Sequence, residues 1–171
     1  ELEKSNGNAT QWNLEINGSV YALCLSNSIL YLGGNFSVIK YETRRYIAAL
    51  DTSIQQVTTW DPNADGQVHC LATAGSDVYA GGAFTKIGVK DRKLIAAIDA
   101  STGVAKDWNT SLFGNYVQSI VASDTKVYVA GSFITGSFER NNLMAVNSAD
   151  GSLTDWNPEP NHIVNCIAMN G

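Results

Sequence analysis

The chain has 171 residues, of which 44% are hydrophobic and 16% are charged, and this composition is typical of a folded domain rather than a disordered segment. Its formal net charge is −5 at pH 7, whereas a protein that binds nucleic-acid phosphates is usually basic over a whole face. No apolar run reaches the roughly 18 residues of a membrane-spanning helix. We therefore expect neither a nucleic-acid partner nor membrane insertion of this segment.

A repeat of 48 residues organises the whole chain. Its clearest markers are four tryptophans at a constant interval: Trp12, Trp60, Trp108 and Trp156. An aromatic residue, a small-residue pair, an arginine and an Asp or Asn recur in the same register: Tyr31, Tyr79 and Tyr128; Gly33, Gly34, Gly81, Gly82 and Gly131; Arg44, Arg92 and Arg140; Asp51, Asp99 and Asn147. Repeated architectures have such a fixed period.

The repeat divides the chain, in order, into partial and whole units. We predict the end of a preceding unit (its third and fourth strands), three whole units and the first strand of a following unit, over residues 1–12, 13–60, 61–108, 109–156 and 157–171. The third unit carries one extra residue near 113–116 and one fewer before Arg140. Insertions of this kind fall in loops.

The second unit shows the predicted elements most clearly. Apolar runs at 67–74, 78–84 and 94–99, and a shorter one ending at Trp108, are separated by turn residues and by a polar loop at 85–93. No helical apolar period is sustained. The prediction is an all-β fold, a β-propeller with four-stranded antiparallel blades of about 48 residues.

Closure of such a ring sets an expectation about the chain as a whole. A closed propeller has roughly four to eight blades. Three whole blades with partial flanks would leave apolar blade faces and sheet edges in water. We therefore expect the chain to be part of a longer protein, with the remaining blades of the same propeller as its partner, or to complete its ring with other chains.

The recurring residues are interpreted as structural. Glycine pairs let neighbouring backbones approach closely, and the tryptophans supply apolar area for packing blade on blade. The repeated aspartates can accept hydrogen bonds from the tight turn that follows, and the repeated arginines are expected to pair or stack against the adjacent blade. Recurrence in every unit favours packing over chemistry, because catalysis needs a site only once.

Several short segments of the sequence resemble known repeats. Trp60-Asp61-Pro62-Asn63-Ala64-Asp65-Gly66, Tyr79-Ala80-Gly81-Gly82-Ala83-Phe84 and Ala96-Ala97-Ile98-Asp99 resemble kelch-like blades, and especially the delta-60-type repeat of large secreted or surface proteins. The phrase from Gly33 to Phe36 is similar to propellers of fungal cell-surface polarity markers. This resemblance implies an extracellular or cell-surface protein with a binding or scaffolding role.

Two further similarities are rejected. Residues 97–103 followed by Trp108 resemble the tryptophan-docking motif of quinoprotein propellers, but four residues rather than three separate the glycine from the tryptophan. Trp60-Asp61 resembles a WD repeat, but its Gly-His partner is missing.

Groups that could carry chemistry are few. Asp61, Asn63 and Asp65 match the first half of a calcium loop, but Ala72 stands where the bidentate Glu is expected. We interpret them as an Asx-type turn, with bound calcium as the alternative, and predict no other cofactor. The two histidines, His69 and His162, do not have the spacing of metal ligands. The three cysteines are too few and too far apart for a disulfide framework and are expected to be buried thiols: Cys24, Cys70 and Cys166.

The loops between second and third strands hold eight of the eleven lysines and arginines. Propellers commonly bind through such loops. The residues there that do not follow the repeat are the binding candidates: Tyr41, Arg45, Tyr46, Lys90 and Phe138. Glycosylation sequons, typical of secreted proteins, begin at Asn8, Asn17, Asn35 and Asn109.

The functional expectation is a non-enzymatic extracellular platform that binds protein or glycan. Two alternatives remain: part of a propeller enzyme whose catalytic residues lie in blades not present here, or a structural spacer in a surface assembly. Catalytic or metal-ligand clusters in further blades would favour the enzyme, and near-identical blades would favour the spacer.

Overall fold

The structure is a computed structural model that describes residues 3, 5, 6, 8, 10, 12–136 and 140–170. These residues form fourteen β-strands and no helix: β1 Ser19–Ser26, β2 Ile29–Asn35, β3 Val38–Ile39, β4 Glu42–Thr43, β5 Ile47–Asp51, β6 Gln56–Val57, β7 Val68–Ala74, β8 Asp77–Gly82, β9 Lys86–Ile87, β10 Lys90–Asp91, β11 Ile95–Asp99, β12 Leu112–Ala122, β13 Lys126–Thr135 and β14 Asn141–Asn147. The fold is all-β, with antiparallel sheets.

Three sheets follow the three units predicted from the repeat. Sheet 1 has the order β1-β2-β5-β6, sheet 2 has the order β11-β8-β7, and sheet 3 has the order β12-β13-β14. Only sheet 1 has a fourth strand. In the other two units the bridges Ile98–Ala105 and Val146–Leu153 stand at that position.

A short hairpin interrupts the loop between second and third strands in units 1 and 2. Strands β3 and β4 pair as the first hairpin, and β9 and β10 pair as the second hairpin. The sequence predicted only polar loops here. In unit 3, strands β12 and β13 instead run on past the usual end of the sheet and pair from Leu112–Thr135 onward.

The hydrophobic core lies between successive sheets, and the repeated aromatic residues form it. Tyr31 and Trp60 pack edge-to-face at 5.1 Å between ring centres, within the cluster that joins sheets 1 and 2. Tyr79 and Trp108 pack in the same way at 5.5 Å between sheets 2 and 3. Each buried indole also donates a hydrogen bond of 3.0 Å into the next sheet, Trp60 to the Asp99 carbonyl and Trp108 to the Asn147 carbonyl.

The first glycine of each pair sets how closely two sheets approach. A Cβ at Gly33 would lie 2.6 Å from Cγ1 of Val68 in sheet 2, and one at Gly81 would lie 2.5 Å from Cγ1 of Val117 in sheet 3. Real side chains do not tolerate such distances. Glycine at these positions therefore allows β7 and β12 to pack directly on the preceding sheet.

The two flanking segments form no strand among the residues described. This holds for the described residues between 3 and 12, and for residues 157–170. The amide of Ile167 nevertheless donates a hydrogen bond of 3.2 Å to Ser119 Oγ on β12, so the segment from 163 to 169 lies against sheet 3.

Candidate functional site

The two hairpins form the most prominent surface feature, and each is fastened to the connection that precedes its sheet. Ile16 bridges Ile39 in the first hairpin, and the amide of Asp65 donates to the Lys86 carbonyl in the second. The side chains of Asn17 and Asp65, which are 48 residues apart, accept hydrogen bonds from the two amides that open each hairpin. We call the surface made by these hairpins and connections the hairpin face.

The turn of each hairpin consists of two residues with positive φ. Lys40 and Tyr41 have φ of 47° and 69°, and Gly88 and Val89 have φ of 57° and 62°. Two-residue turns of this kind match the twist of a hairpin but favour Asn and Gly. Tyr41 and Val89 occupy the second turn position although bulky residues are strained there. They are also the most exposed large apolar residues described, at 86% and 91%.

Two groups fix how the first hairpin tip is presented. The ammonium of Lys40 donates a hydrogen bond of 3.1 Å to the Gln55 carbonyl. The carboxylate of Glu15 raises the pKa of Tyr41 by accepting a hydrogen bond from its hydroxyl. The same hydrogen bond orients the phenol at the tip of the hairpin.

A groove of about 280 Å³ lies where the second hairpin meets unit 1. Arg45 and Lys86 supply positive charge on its walls, Asp65 supplies a negative charge, and Val89 supplies exposed apolar surface. The Lys86 ammonium is 3.4 Å from the Asp91 carboxylate, in an exposed ion pair that contributes little stability. The groove can therefore present cations and apolar surface together.

The five binding residues predicted from the sequence occupy different places. Tyr41 is at the first hairpin tip and Arg45 lines the groove. Lys90, on β10, donates a 2.6 Å hydrogen bond to the Asp107 carboxylate. Tyr46 packs partly into the core between sheets 1 and 2, while its backbone bonds to Phe36 and Gly34. Phe138 lies outside the described residues.

Sequence reasoning missed two features of this face. Val89 follows a glycine in a loop without Asn-Gly turn chemistry, so nothing local marked it as a hairpin tip. The ammonium of Lys93, 48 residues after Arg45, lies 5.1 Å from the centre of the Phe113 ring in a cation–π contact. The 48-residue interval between Arg45 and Lys93 was the sequence signal that could have marked Lys93 as the counterpart of Arg45.

The repeated arginines act within their own unit, not on the adjacent one as the sequence predicted. Arg44, Arg92 and Arg140 each donate from a guanidinium nitrogen to the carbonyl fourteen residues later: Thr58, Lys106 and Thr154. Each arginine thus links the loop after the second strand to the residues at the fourth-strand position of the same unit. A recurring residue shows that a contact is repeated but does not identify its partner.

The residues of the half calcium loop separate into different roles. The carboxylate of Asp65 accepts hydrogen bonds from the amides of Thr85 and Lys86 and from the Thr85 hydroxyl, and these bonds hold its pKa below the usual range although burial opposes them. Asp61 and Asn63 are exposed. Among the described residues, no three His, Cys, Asp or Glu side chains are grouped so that they could hold a metal.

The repeated aspartates cap the turns that follow the third strands. The Asp99 carboxylate accepts from the amides and hydroxyls of Ser101 and Thr102, and Asp51 does the same with Ser53. These bonds lower the pKa of both carboxyl groups. The turn role expected from the sequence is confirmed for both residues.

His69 belongs to an aromatic row on the first strands. Its ring lies 5.9 Å from Tyr21 on β1 and 5.7 Å from Tyr116 on β12. Partial burial lowers the pKa of His69, while a backbone hydrogen bond near Val117 opposes that shift. The row joins all three sheets along one edge.

The cysteines are not uniformly buried, contrary to the sequence-based expectation. Cys70 is buried between sheets 2 and 3, Cys24 is partly buried, and Cys166 is exposed. Burial strongly raises the pKa of the Cys70 thiol. Cys166 is exposed because no described sheet covers the outer side of the segment that carries it.

The four sequon asparagines lie at the surface of the described structure. Asn8 and Asn35 are exposed, as are Asn17 and Asn109. Asn17 Nδ2 donates a hydrogen bond of 2.9 Å to Ser37 Oγ, so a glycan at Asn17 would leave only one Nδ2–H for that bond. Separately, the described residues contain no helix long and apolar enough to cross a membrane.

Comparisons with solved structures show what the fold is similar to. The crystal structure of the computationally designed Ika4 protein matches with a TM-score of 0.63 at 15% identity, over 93% of this chain and 85% of that one. The crystal structure of the RRP9 WD40 repeats matches with a TM-score of 0.57 at 12% identity, over 85% of this chain. This chain spans only 41% of the RRP9 chain. No family model and no curated protein matches the sequence.

These similarities concern the fold alone. The chain has a β-rich repeat fold that resembles a WD40 propeller, although its sequence lacks the Gly-His partner of a WD repeat.

Proposed function

We propose that this chain is an arc of a kelch-like β-propeller of a secreted or cell-surface protein, and that it serves as a non-enzymatic platform that binds protein or glycan through the hairpin face. The strand order of sheet 1 and the bridges at the fourth position of the other units support the four-stranded blade. Four sequons support an extracellular location.

The proposal of binding rests on the two residues at the hairpin tips. Tyr41 and Val89 are held with positive φ, a conformation that disfavours large side chains, yet neither is buried. Packing within the described residues therefore does not account for keeping bulky residues there. Strained positions of this kind concentrate at binding sites.

The adjacent groove supports the same assignment. Arg45 and Lys86 add cationic donors beside the apolar tip of Val89. Aromatic residues and arginine are enriched at protein–protein interfaces, as Tyr41 and Arg45 would be here.

Binding by the hairpin face can be tested with a pair of tip variants. The labelled chain would be applied to an array of glycans and to a panel of immobilised extracellular matrix proteins. We expect the double variant Tyr41→Gly and Val89→Gly to lose at least tenfold in affinity for whatever the parent binds. Leu25→Gln, which changes an exposed apolar residue on β1 away from the hairpins, is the matched control. Equal binding by the tip variant and the parent would rule out the hairpin face.

A further inference from the structure

The two hairpins differ in how closely they approach the fourth-strand position of their own unit. In unit 2 the Ala105 amide donates a hydrogen bond of 3.2 Å to the Gly88 carbonyl, so the hairpin turn lies directly on that position. A Cβ at Gly88 would collide with the Ala105 backbone nitrogen. Unit 1 has Lys40 where unit 2 has Gly88. Among the described residues, no backbone hydrogen bond joins Lys40 to Val57, and the first hairpin stands away from β6.

A groove of about 250 Å³ opens in unit 1 where unit 2 has this contact. We call it the unit 1 groove, and it is lined by three residues of the hairpin and two of β6: Lys40, Tyr41, Glu42, Gln56 and Val57. The equivalent residues of unit 2 include one polar side chain: Gly88, Val89, Lys90, Val104 and Ala105. The polar lining is therefore particular to unit 1 and is not a requirement of the repeat.

Both walls of the unit 1 groove belong to unit 1 itself. In unit 2, the residue of the preceding unit that approaches the hairpin is Arg45, and it lies beside Asn63 and Lys86, on the side of the connection and β9. The unit 1 groove is on the other side of its hairpin, between β4 and β6. It is therefore a space within one unit, not an uncovered end of the arc.

The side chains of the groove provide both hydrogen-bond donors and acceptors. The Lys40 ammonium donates one hydrogen bond to the Gln55 carbonyl and has two further N–H groups. The Glu42 carboxylate is 3.6 Å from the Arg44 guanidinium, and its side chain is 60% exposed, so acceptor positions remain open to a ligand. The exposed amide of Gln56 adds two donors and one acceptor.

The charges of the groove favour an uncharged ligand. Lys40 and Glu42 place one cation and one anion on the same small space. A ligand of either charge would therefore meet a like charge, which is unfavourable. A neutral molecule with several hydroxyl groups can bind to both, because each hydroxyl donates and accepts.

Tyr41 supplies the apolar part of the groove. Its side chain is 86% exposed, and its hydroxyl is oriented by a hydrogen bond to the Glu15 carboxylate. The face of an aromatic ring is negative, so it attracts the positively polarised C–H groups on one side of a sugar ring. The groove is also smaller than the roughly 300–1,000 Å³ of pockets for drug-sized ligands, and this size suits a single ring.

We propose that the unit 1 groove binds one uncharged pyranose unit of a glycan. The sugar packs its C–H side on the Tyr41 ring, and its hydroxyl groups form hydrogen bonds with Lys40, Glu42 and Gln56. This inference rests on the proposed function and narrows it, because it makes a neutral glycan the ligand of the first hairpin.

The test titrates the nitrogen-15-labelled chain with the methyl glycosides of glucose, galactose and mannose. Binding would be followed by the side-chain amide signals of Gln56, by the backbone amides of residues 40–42, and by saturation transfer to the sugar. We expect saturable shifts of these signals with at least one glycoside. The uronic acid and the amino sugar of the same configuration, which are anionic and cationic, should both bind more weakly than the neutral sugar.

Two variants locate the sugar, and a third is the control. Lys40→Gly gives unit 1 the glycine of unit 2, so the hairpin can close on β6 and binding should be lost. Gln56→Val introduces the residue type that unit 2 has at Val104, and the loss of one hydrogen bond should weaken binding about fivefold. Lys126→Ala, which removes a cation from sheet 3, should leave binding unchanged.

The possible failures separate this inference from the proposed function. Shifts confined to other residues, or binding that neither Lys40→Gly nor Gln56→Val weakens, would overturn the sugar site. If no glycoside is bound but the chain still binds a protein through the hairpin tips, the sugar site is wrong and the hairpin face keeps its role. If the glycan array and the protein panel also show no binding, both the sugar site and the platform function are wrong.

Discussion

The positive φ of Val89 is a local cost that can be measured separately from any ligand. The left-handed conformation costs a residue with a Cβ about 1–2 kcal/mol. Replacement by glycine relieves this cost, but the greater freedom of glycine in the unfolded chain offsets roughly 0.5–1 kcal/mol of the gain. Because Val89 is almost fully exposed, its removal loses little burial. We predict that Val89→Gly raises the free energy of unfolding by about 0.5–1 kcal/mol in urea titrations.

Val104→Gly is the control for this substitution. Val104 is also exposed but is not among the residues with positive φ, so glycine there should lower stability. A loss of stability in Val89→Gly as large as that in Val104→Gly would show that the turn is not strained.

At the scale of the elements, the approach of sheet 3 to sheet 2 depends on Gly81. A Cβ there would lie 2.5 Å from Val117 Cγ1 and 2.7 Å from Cys70 Sγ. Overpacking of this kind costs about 1–3 kcal/mol. We predict that Gly81→Ala destabilises the chain by that amount in thermal and urea unfolding. The third unit has Ala130 at the equivalent position.

A double-mutant cycle distinguishes this clash from an unfavourable effect of alanine on the local backbone at position 81. Val117→Ala removes the atom that the new methyl would meet. The double variant should therefore be more stable than the sum of the two single effects predicts. Strict additivity would show that the cost of Gly81→Ala does not come from the contact with Val117.

The elements also show how far the sequence could lead. The apolar runs and turn residues of unit 2 predicted strands at 67–74, 78–84 and 94–99, and the structure has β7, β8 and β11 there. The hairpins could not be predicted, because their turns lack Asn-Gly chemistry and contacts distant in sequence, such as the bridge from Ile16 to Ile39, hold them in place. The candidate site followed the same division: the sequence pointed to the loops that carry the hairpins and to Tyr41, but not to Val89.

The whole molecule should lose stability in acid in two stages. Burial lowers the pKa of His69, so the unfolded chain binds its proton more tightly, and this contribution is present above the unfolded pKa near 6.5 and lost as pH falls below it. Hydrogen bonds from the following turn lower the pKa of Asp51 and Asp99, and hydrogen bonds from the Ser152 amide and hydroxyl lower the pKa of Asp150. Their contribution is present above an unfolded pKa of about 3.9 and lost as pH falls through their folded values.

In base, stability falls as pH rises, and one cause is a buried phenol. Burial between sheets, with a smaller effect of the Asp77 carboxylate, raises the pKa of Tyr79 to about 12. Its contribution is therefore present below the unfolded pKa of about 10 and lost as pH rises through the folded value. The raised pKa of the buried Cys70 thiol acts in the same direction from its unfolded value of about 8.5 upward. We predict a plateau of stability from about pH 7 to 8, with a first acid decline below pH 6.5 and a second below pH 4.

Urea unfolding midpoints measured between pH 3 and pH 11 would test this profile, and three variants assign its parts. His69→Phe should remove the first acid decline, because no imidazole then gains a proton on unfolding, while keeping an aromatic ring between Tyr21 and Tyr116. His162→Gln, which changes an exposed histidine outside that row, should leave the decline in place. Tyr79→Phe should reduce the loss above pH 10 but not abolish it, because the buried Cys70 thiol still contributes. If the midpoint of the parent stayed constant from pH 7 to 5, the burial of His69 along the edge that joins the three sheets would be wrong.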